Sequence, residues 1–490
     1  MSTMAIAQSG EDVRARRANS VESRRQAPAG FGPSANAPSI VLPLQFVLTG
    51  LVALGLGLAL VIMRPDILAT YHYNQYVIAT THVFVLGFIA SIVMGALYQL
   101  VPVALETRLY SERLAHVHFW FHLVGVAGMV WMFWKWDMKQ VGHFGCVFGA
   151  GVVLFVYNIS RTLLRVPKWN VIAGSVVSAL GWLSAAILAG LMIAAGKCSY
   201  ESTATLSSTT VLGAMIHALE SAAKLMAKLD QFGAMHAHAH LGMLGVYIML
   251  IVGISYKLIP MFTLSDIQSR ARARASILLL NAGLAGSFIT VLMRSPWKLL
   301  FAAVVIAGLV FYGWEMRSIL GARKRRTLDW GLKYFLTAIS LLGALSILAV
   351  VLSWPGLPLT PFTGQLENLY GFGAILGVVA LAILGMLYKI LPFLVWYGTY
   401  SRHIGASRVP SLADLYSPSI QAAQYVAYLA ALVVAGVGIV LGSSLWVRIG
   451  FGLFAVAYGL FAVNAAKMLS HLFRPRIQPL AGSASIPAKA

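Results

Sequence analysis

The stretch His82-Val-Phe-Val-Leu-Gly-Phe-Ile-Ala-Ser-Ile-Val-Met-Gly95-Ala-Leu-Tyr98-Gln99-Leu-Val-Pro102 decides how the chain is read, because its closing register returns twice. The later copies are Gly253-Ile-Ser-Tyr256-Lys257-Leu-Ile-Pro260 and Gly385-Met-Leu-Tyr388-Lys389-Ile-Leu-Pro392. Twenty residues before the three prolines stand His82, His240 and Phe372. A repeat of this kind inside an apolar chain points to a symmetric bundle with its functional groups at equivalent depths. The repeated glycine lets a neighbouring helix approach closely. The proline is expected to mark the point where each helix stops.

Composition puts the repeat in a membrane. Of 490 residues, 59% are hydrophobic and 10% charged, which excludes a soluble globular domain. Apolar runs of about 20 residues each suffice to cross the hydrocarbon as a helix. Twelve are expected, at 41–63, 80–103, 113–134, 141–162, 170–195, 238–262, 274–294, 297–320, 332–354, 369–396, 418–442 and 445–470. The repeated helices are spans 2, 6 and 10, so the fold class is an all-α membrane protein of twelve transmembrane helices in a pseudo-threefold, 4+4+4 bundle.

The net charge of +21 does not point to nucleic acid, because the cations are placed by membrane side. Arg14, Arg16, Arg17, Arg24 and Arg25 precede span 1; Arg161, Arg165 and Lys168 follow span 4; Arg270, Arg272 and Arg274 follow span 6. Arg323, Lys324, Arg325 and Arg326 follow span 8, and Arg474 and Arg476 follow span 12. All fall on one side of a twelve-span chain, and the positive-inside rule makes that side, with both termini, cytoplasmic. Residues 1–38 and 474–490 read as disordered cytoplasmic tails flanking a membrane domain at 39–473. Within the outer connection 196–235, residues 210–228 suit a short amphipathic surface helix. Cys146 and Cys198 are expected to be unpaired.

Histidines carry the chemistry. In His236-Ala-His238-Ala-His240, His236 and His240 share a helical face about 6 Å apart along the axis, and His238 points away. Paired imidazoles at this spacing suit copper, zinc or iron, or simply a polar helix cap at the water boundary. His82 is a heme-ligand candidate by its equivalence with His240, the alternative being a hydrogen-bonded core histidine. His116, His118 and His122 open span 3 in its cytoplasmic half and form a separate site: a proton path, a quinone contact, a second metal or the lining of a hydrated mouth. With Tyr256, Lys257 and Lys389 they make up a candidate proton path, although both lysines are close enough to the helix ends to snorkel. His72 and His143 suit heme propionates or plain solvation. Glu315 and Asn281 are intramembrane polar groups without an assigned role.

Twelve spans in three four-span arcs, with histidines at the outer ends of spans 2 and 6, resemble subunit I of the heme–copper oxidases. His82 and Met94-Gly95-Ala96-Leu97-Tyr98-Gln99-Leu100-Val101-Pro102 are similar to span 2 of the nitric-oxide reductase and C-type oxidase branch. The resemblance implies an axial heme b ligand at His82, and copper or non-heme iron at His240, with His236 as a local alternative. The chain departs from the family in span 7, where Ala273 to Arg294 holds no histidine, and in span 10, where Tyr370-Gly371-Phe372 replaces the family's His-x-His. Four of six family ligands are missing, so a degenerate member is expected. His238-Ala239-His240 is similar to an element of heme- and copper-containing proteins of bacterial nitric-oxide defence.

The reading is therefore a bacterial inner-membrane protein that binds heme b, with copper or non-heme iron as a further cofactor, and takes part in respiratory electron transfer or in oxygen or nitric-oxide handling. His82 would be an axial heme ligand, and His240, with His236 or His238, would hold a second metal or supply the other axial ligand. Its partners would be the lipid bilayer, a cytochrome c or quinol electron donor and other subunits, and not nucleic acid. The rival readings are a nitric-oxide sensing protein without turnover, and a heme-free transporter or assembly partner.

Overall fold

The computed structural model describes residues 38–70, 73–197, 221, 224, 230–405 and 407–479. His72, Cys198, the tails 1–37 and 480–490, and all but two residues of the surface helix expected at 210–228 lie outside that set. The described residues form twelve helices long and apolar enough to cross a membrane. In chain order they are α1 (Val41–Met63), α2 (Gln75–Ala104), α3 (Glu112–Lys135), α4 (Met138–Leu163), α5 (Val171–Lys197) and α6 (Gln231–Thr263). Then follow α7 (Arg270–Leu292), α8 (Lys298–Gly321), α9 (Trp330–Leu352), α10 (Pro361–His403), α11 (Pro418–Val440) and α12 (Ser444–Phe473).

The three repeated helices begin one to two turns before their apolar runs, because polar caps start them. The Asn74 side chain accepts the Tyr76 and Val77 N–H groups, Asp230 accepts that of Gly233, and Thr360 forms a capping box with Thr363 ahead of Pro361. The prolines behave differently from expectation. Pro102 and Pro260 stand near the helix ends at Ala104 and Thr263, but α10 continues past Pro392. Tertiary packing holds the extra turns: Leu394, Val395 and Tyr400 are buried, and the Tyr400 hydroxyl meets His471 Nδ1 at 2.7 Å. Helix-breaking residues are tolerated in membrane helices where neighbours satisfy the freed backbone.

The threefold repeat is visible as repeated interactions. α2, α6 and α10 are the most buried helices, at 67, 61 and 78%, against 44% or less elsewhere, so they form the centre and the others surround them. Each repeated glycine faces the preceding helix: Gly95 faces Phe46 and the Pro43 carbonyl in α1, Gly253 faces Ser175 in α5, and Gly385 faces Gly331 and Tyr334 in α9. Each repeated tyrosine bonds one position of the following helix: Tyr98 to His118 (2.9 Å), Tyr256 to Ser276 (2.8 Å) and Tyr388 to Gln424 (2.7 Å). Ser111, Ser269 and Ser417 cap α3, α7 and α11, and a polar side chain from the fourth helix of each set holds the cap's backbone: Asn158, Glu315 and Asn464. A methyl at residue 385 would lie 2.7 Å from the Gly331 carbonyl, and backbone cannot move aside as a side-chain tip can. Gly385→Ala is therefore expected to lower stability by about 1–3 kcal/mol, read as an earlier thermal transition in detergent, while alanine at Gly371, where nothing lies within 4 Å, leaves it unchanged.

Directly after His82, His240 and Phe372 each central helix widens to π geometry for eight residues, Val83–Ala90, Leu241–Ile248 and Gly373–Ala380, then returns to α. Extended π segments are rare and favour functional sites. Their carbonyls are open to other helices: Tyr247 donates to the Val85 carbonyl (2.9 Å) and Tyr428 to that of Leu376 (2.7 Å).

At the arginine-rich end, the connection after α10 pairs with residues from the 474–490 tail. Ser407 and Arg408 form an antiparallel bridge with Pro479 and Gln478, and the Arg476 N–H donates to the Tyr400 hydroxyl at 2.8 Å. In that connection the Ser411 hydroxyl and N–H hold the Asp414 carboxyl below its usual range.

Candidate functional site

His82, His238 and His240 lie near the opposite end of the bundle, and one device orients all three. His82 Nδ1 meets the Ile78 carbonyl at 2.7 Å, one turn back in its own helix, and His240 Nδ1 meets that of His236 at 2.7 Å. His238 Nδ1 meets the Ala186 carbonyl of α5 at 3.0 Å. A carbonyl only accepts, so each Nδ1 carries the hydrogen and each Nε2 keeps its lone pair. That is how a ligating imidazole is prepared: the far nitrogen fixes tautomer and ring direction, and the near one is left to bind.

The rings face different sectors. His82 packs on Phe133 of α3 (centroids 4.6 Å). His238 sits over Gly190, where an added methyl would meet its Cε1 at 3.0 Å. His240 stacks with Tyr370 of α10, centroids 6.1 Å apart. Phe372, the third equivalent, is buried against Phe451 and Phe454 of α12, at 6.2 and 6.1 Å. Two residues along an α-helix rotate a side chain by about 200°, so His238 and His240 diverge and His236 contributes its carbonyl to His240. Among the described residues no three His, Cys, Asp or Glu side chains are placed to share one metal ion. The set His236, His238 and His240 is not brought together.

His118 and His122 form a second, fully buried group in α3, with rings 5.8 Å apart. His118 Nδ1 bonds the Tyr98 hydroxyl, and His122 Nε2 meets Ser91 Oγ at 2.8 Å. Phe46, Phe148 and Phe155 enclose the pair. His116 is separate and bonds Gln45 (3.2 Å), and exposed His143 bonds Gln140 (3.3 Å). Tyr256 is buried on Ser276, and Lys257 is half-buried. Lys389 does not snorkel: it pairs with Asp329, the N-cap of α9, and lies over the Phe262 ring.

The structural roles of Glu315 and Asn281 are clear. Glu315 is buried, accepts the Gln268 and Ser269 N–H groups at 2.6 and 2.9 Å and pairs with Arg272 at 2.7 Å. Asn281 accepts from the Trp182 indole (2.8 Å) and donates to Ser178 (3.2 Å), tying α7 to α5. The near-constant interval from capping serine to Asn158, Glu315 or Asn464 (47, 46 and 47 residues) is a signal that reading the central helices alone misses.

Residues 36–138, which cover α1 to α3 with His82, His118 and His122, match the family model described as cytochrome C and quinol oxidase polypeptide I.

Proposed function

We propose, for a chain that belongs to the heme–copper oxidase subunit I superfamily, the function of a heme b protein that carries electrons in the inner membrane of a bacterium. His82 and His238, each through Nε2, are the residues that would hold its iron. The observation that carries this reading is the shared Nδ1–carbonyl anchor, which leaves the Nε2 lone pair free on both imidazoles. Phe133 flanks His82 with an apolar ring, and the missing side chain at Gly190 lets the His238 ring lie against α5. Heme held by two imidazoles supplies reversible one-electron reduction. The residues of this chain fix the ring planes, keep both Nδ1–H groups occupied and exclude water with an apolar wall.

His240, anchored like His82, faces Tyr370 in the next sector and is the candidate ligand for copper or non-heme iron. The lack of histidine in α7 and the Tyr370-Gly371-Phe372 sequence in α10 argue against a complete oxygen-reducing centre. The arginine-rich end is assigned to the cytoplasm, with both termini, and the histidine end to the periplasm. The electron donor is a cytochrome c or a quinol.

The visible spectrum of the purified protein tests the reading. About one heme b per chain by pyridine hemochrome, low-spin in both oxidation states, is the expected result. His238→Ala should open one coordination position and make the reduced protein bind carbon monoxide. A colourless protein from heme-supplied cells overturns the assignment, and an unchanged low-spin spectrum in His238→Ala removes that residue from it.

A further inference from the structure

Two arginines at the arginine-rich end of α4 have no carboxylate to answer them. Arg161 and Arg165 stand four residues apart, and neither forms an ion pair among the described residues. Both guanidiniums are nevertheless held on one ring: Arg161 lies 5.1 Å and Arg165 4.9 Å from the centroid of Tyr110. Arg161 also reaches the Tyr157 ring at 6.0 Å, and the two tyrosines meet edge to face at 5.7 Å. Tyr110 is fixed there, because its N–H donates to Thr162 Oγ1 at 3.0 Å and the next residue, Ser111, bonds Asn158 through both its N–H and its carbonyl. Like charges four residues apart on a helix repel, yet the aromatic rings gather these two in one place.

The other repeats show the same place when it is self-sufficient. In the second, Trp314 stands for Tyr157 and Glu315 for Asn158, and Ser318 and Ala322 replace the two arginines. Arg272 lies over the Trp314 ring at 4.9 Å and finds its counter-charge in Glu315. In the third, Val463, Lys467 and His471 stand for Tyr157, Arg161 and Arg165, and His471 is buried against Tyr400. The first repeat alone sets two arginines and two tyrosines beside a neutral asparagine. The anion that balances them therefore comes from outside the chain.

We propose that Arg161 and Arg165 bind the headgroup phosphate of one anionic phospholipid. The guanidinium fork matches phosphate oxygens two at a time, which a lysine ammonium does not. The way down from the pair into the hydrocarbon is apolar: Val153, Tyr157 and Leu164 share one face of α4 and are 68, 47 and 71% exposed. That face suits acyl chains that run from a headgroup held at the arginines. Trp169, exposed just beyond, stands where indoles favour the membrane–water boundary. The arginine-rich end is the one assigned to the cytoplasm, whose leaflet carries the anionic lipids, and basic sites beside membrane helices on that side hold such headgroups. The inference stands whether or not His82 holds heme.

Native mass spectrometry of the full-length protein tests the proposal. Protein in mild detergent, offered equal amounts of phosphatidylglycerol and phosphatidylcholine, should retain phosphatidylglycerol in preference. Arg161→Gln/Arg165→Gln should hold it about 30-fold more weakly, at about fivefold for each arginine lost. That variant should fold, since neither arginine holds an ion pair within the described chain. Arg323→Gln/Arg326→Gln, which removes two exposed arginines at the same end, should keep the lipid. Equal retention of the two lipids by the wild-type protein overturns the proposal, even if the first variant fails to fold. So does an equal loss in the Arg323/Arg326 variant, which would mean attraction by diffuse charge. Displacement of the lipid by inorganic phosphate at equal concentration would make the pair a site for soluble anions and overturns it as well.

Discussion

His82→Ala is expected to remove the heme spectrum and leave the bundle folded. The structural role of the ring is small: one hydrogen bond to the Ile78 carbonyl in its own helix and one face on Phe133. Losing those contacts costs about 1 kcal/mol, within the ordinary range for a point change. Losing an axial nitrogen is far larger in effect, because groups that only support a ligand already change affinity about 10–100-fold. The Soret absorbance per chain should therefore fall by at least about tenfold, with the thermal transition nearly in place. His240→Ala should keep the heme b spectrum and lose any bound copper or non-heme iron. A full spectrum in His82→Ala would take that residue out of the site, and loss of heme only in His240→Ala would move the heme to the second sector.

The largest stability loss is expected at Glu315. Its carboxylate is fully buried, takes two backbone N–H groups at the start of α7 and neutralises Arg272, which is 22% exposed. Removing one partner of such a pair leaves a charge without compensation and costs about 3–5 kcal/mol. Glu315→Ala should lower the thermal transition in detergent more than Asn158→Ala, because Asn158 performs the same capping in the first repeat without a charge partner. Glu315→Asn should recover part of the loss, since asparagine serves at 158 and 464, but not the share due to Arg272. If Glu315→Ala were no worse than Asn158→Ala, the ion pair would contribute nothing and the capping bonds would be the whole effect.

Much of this architecture is legible in the chain. All twelve helices occur where the apolar runs place them, because a membrane helix must satisfy its backbone internally and its length is set by the hydrocarbon. The repeated glycine reads correctly as a point of close approach. The proline does not read as a universal stop, because packing around Tyr400 carries α10 onward. Lys389 was legible as an intramembrane lysine, but its partner Asp329 is 60 residues away and belongs to the cap of another helix.

By itself the sequence determined the number of helices, the threefold register and the equivalence of His82, His240 and Phe372, all of which follow from hydropathy and spacing along one chain. Only the tertiary structure decided that each central helix turns π just after those positions, that His238 takes its carbonyl from a neighbouring helix whereas His82 and His240 take theirs from their own, and that the buried polar atoms left without a hydrogen-bond partner among the described residues all lie in the first repeat. A side chain's direction depends on the rotation of its helix and on which neighbour offers a carbonyl. For His82 and His240 the carbonyl is four residues back in the same helix, but for His238 it is that of Ala186, 52 residues away in α5, which no local pattern encodes.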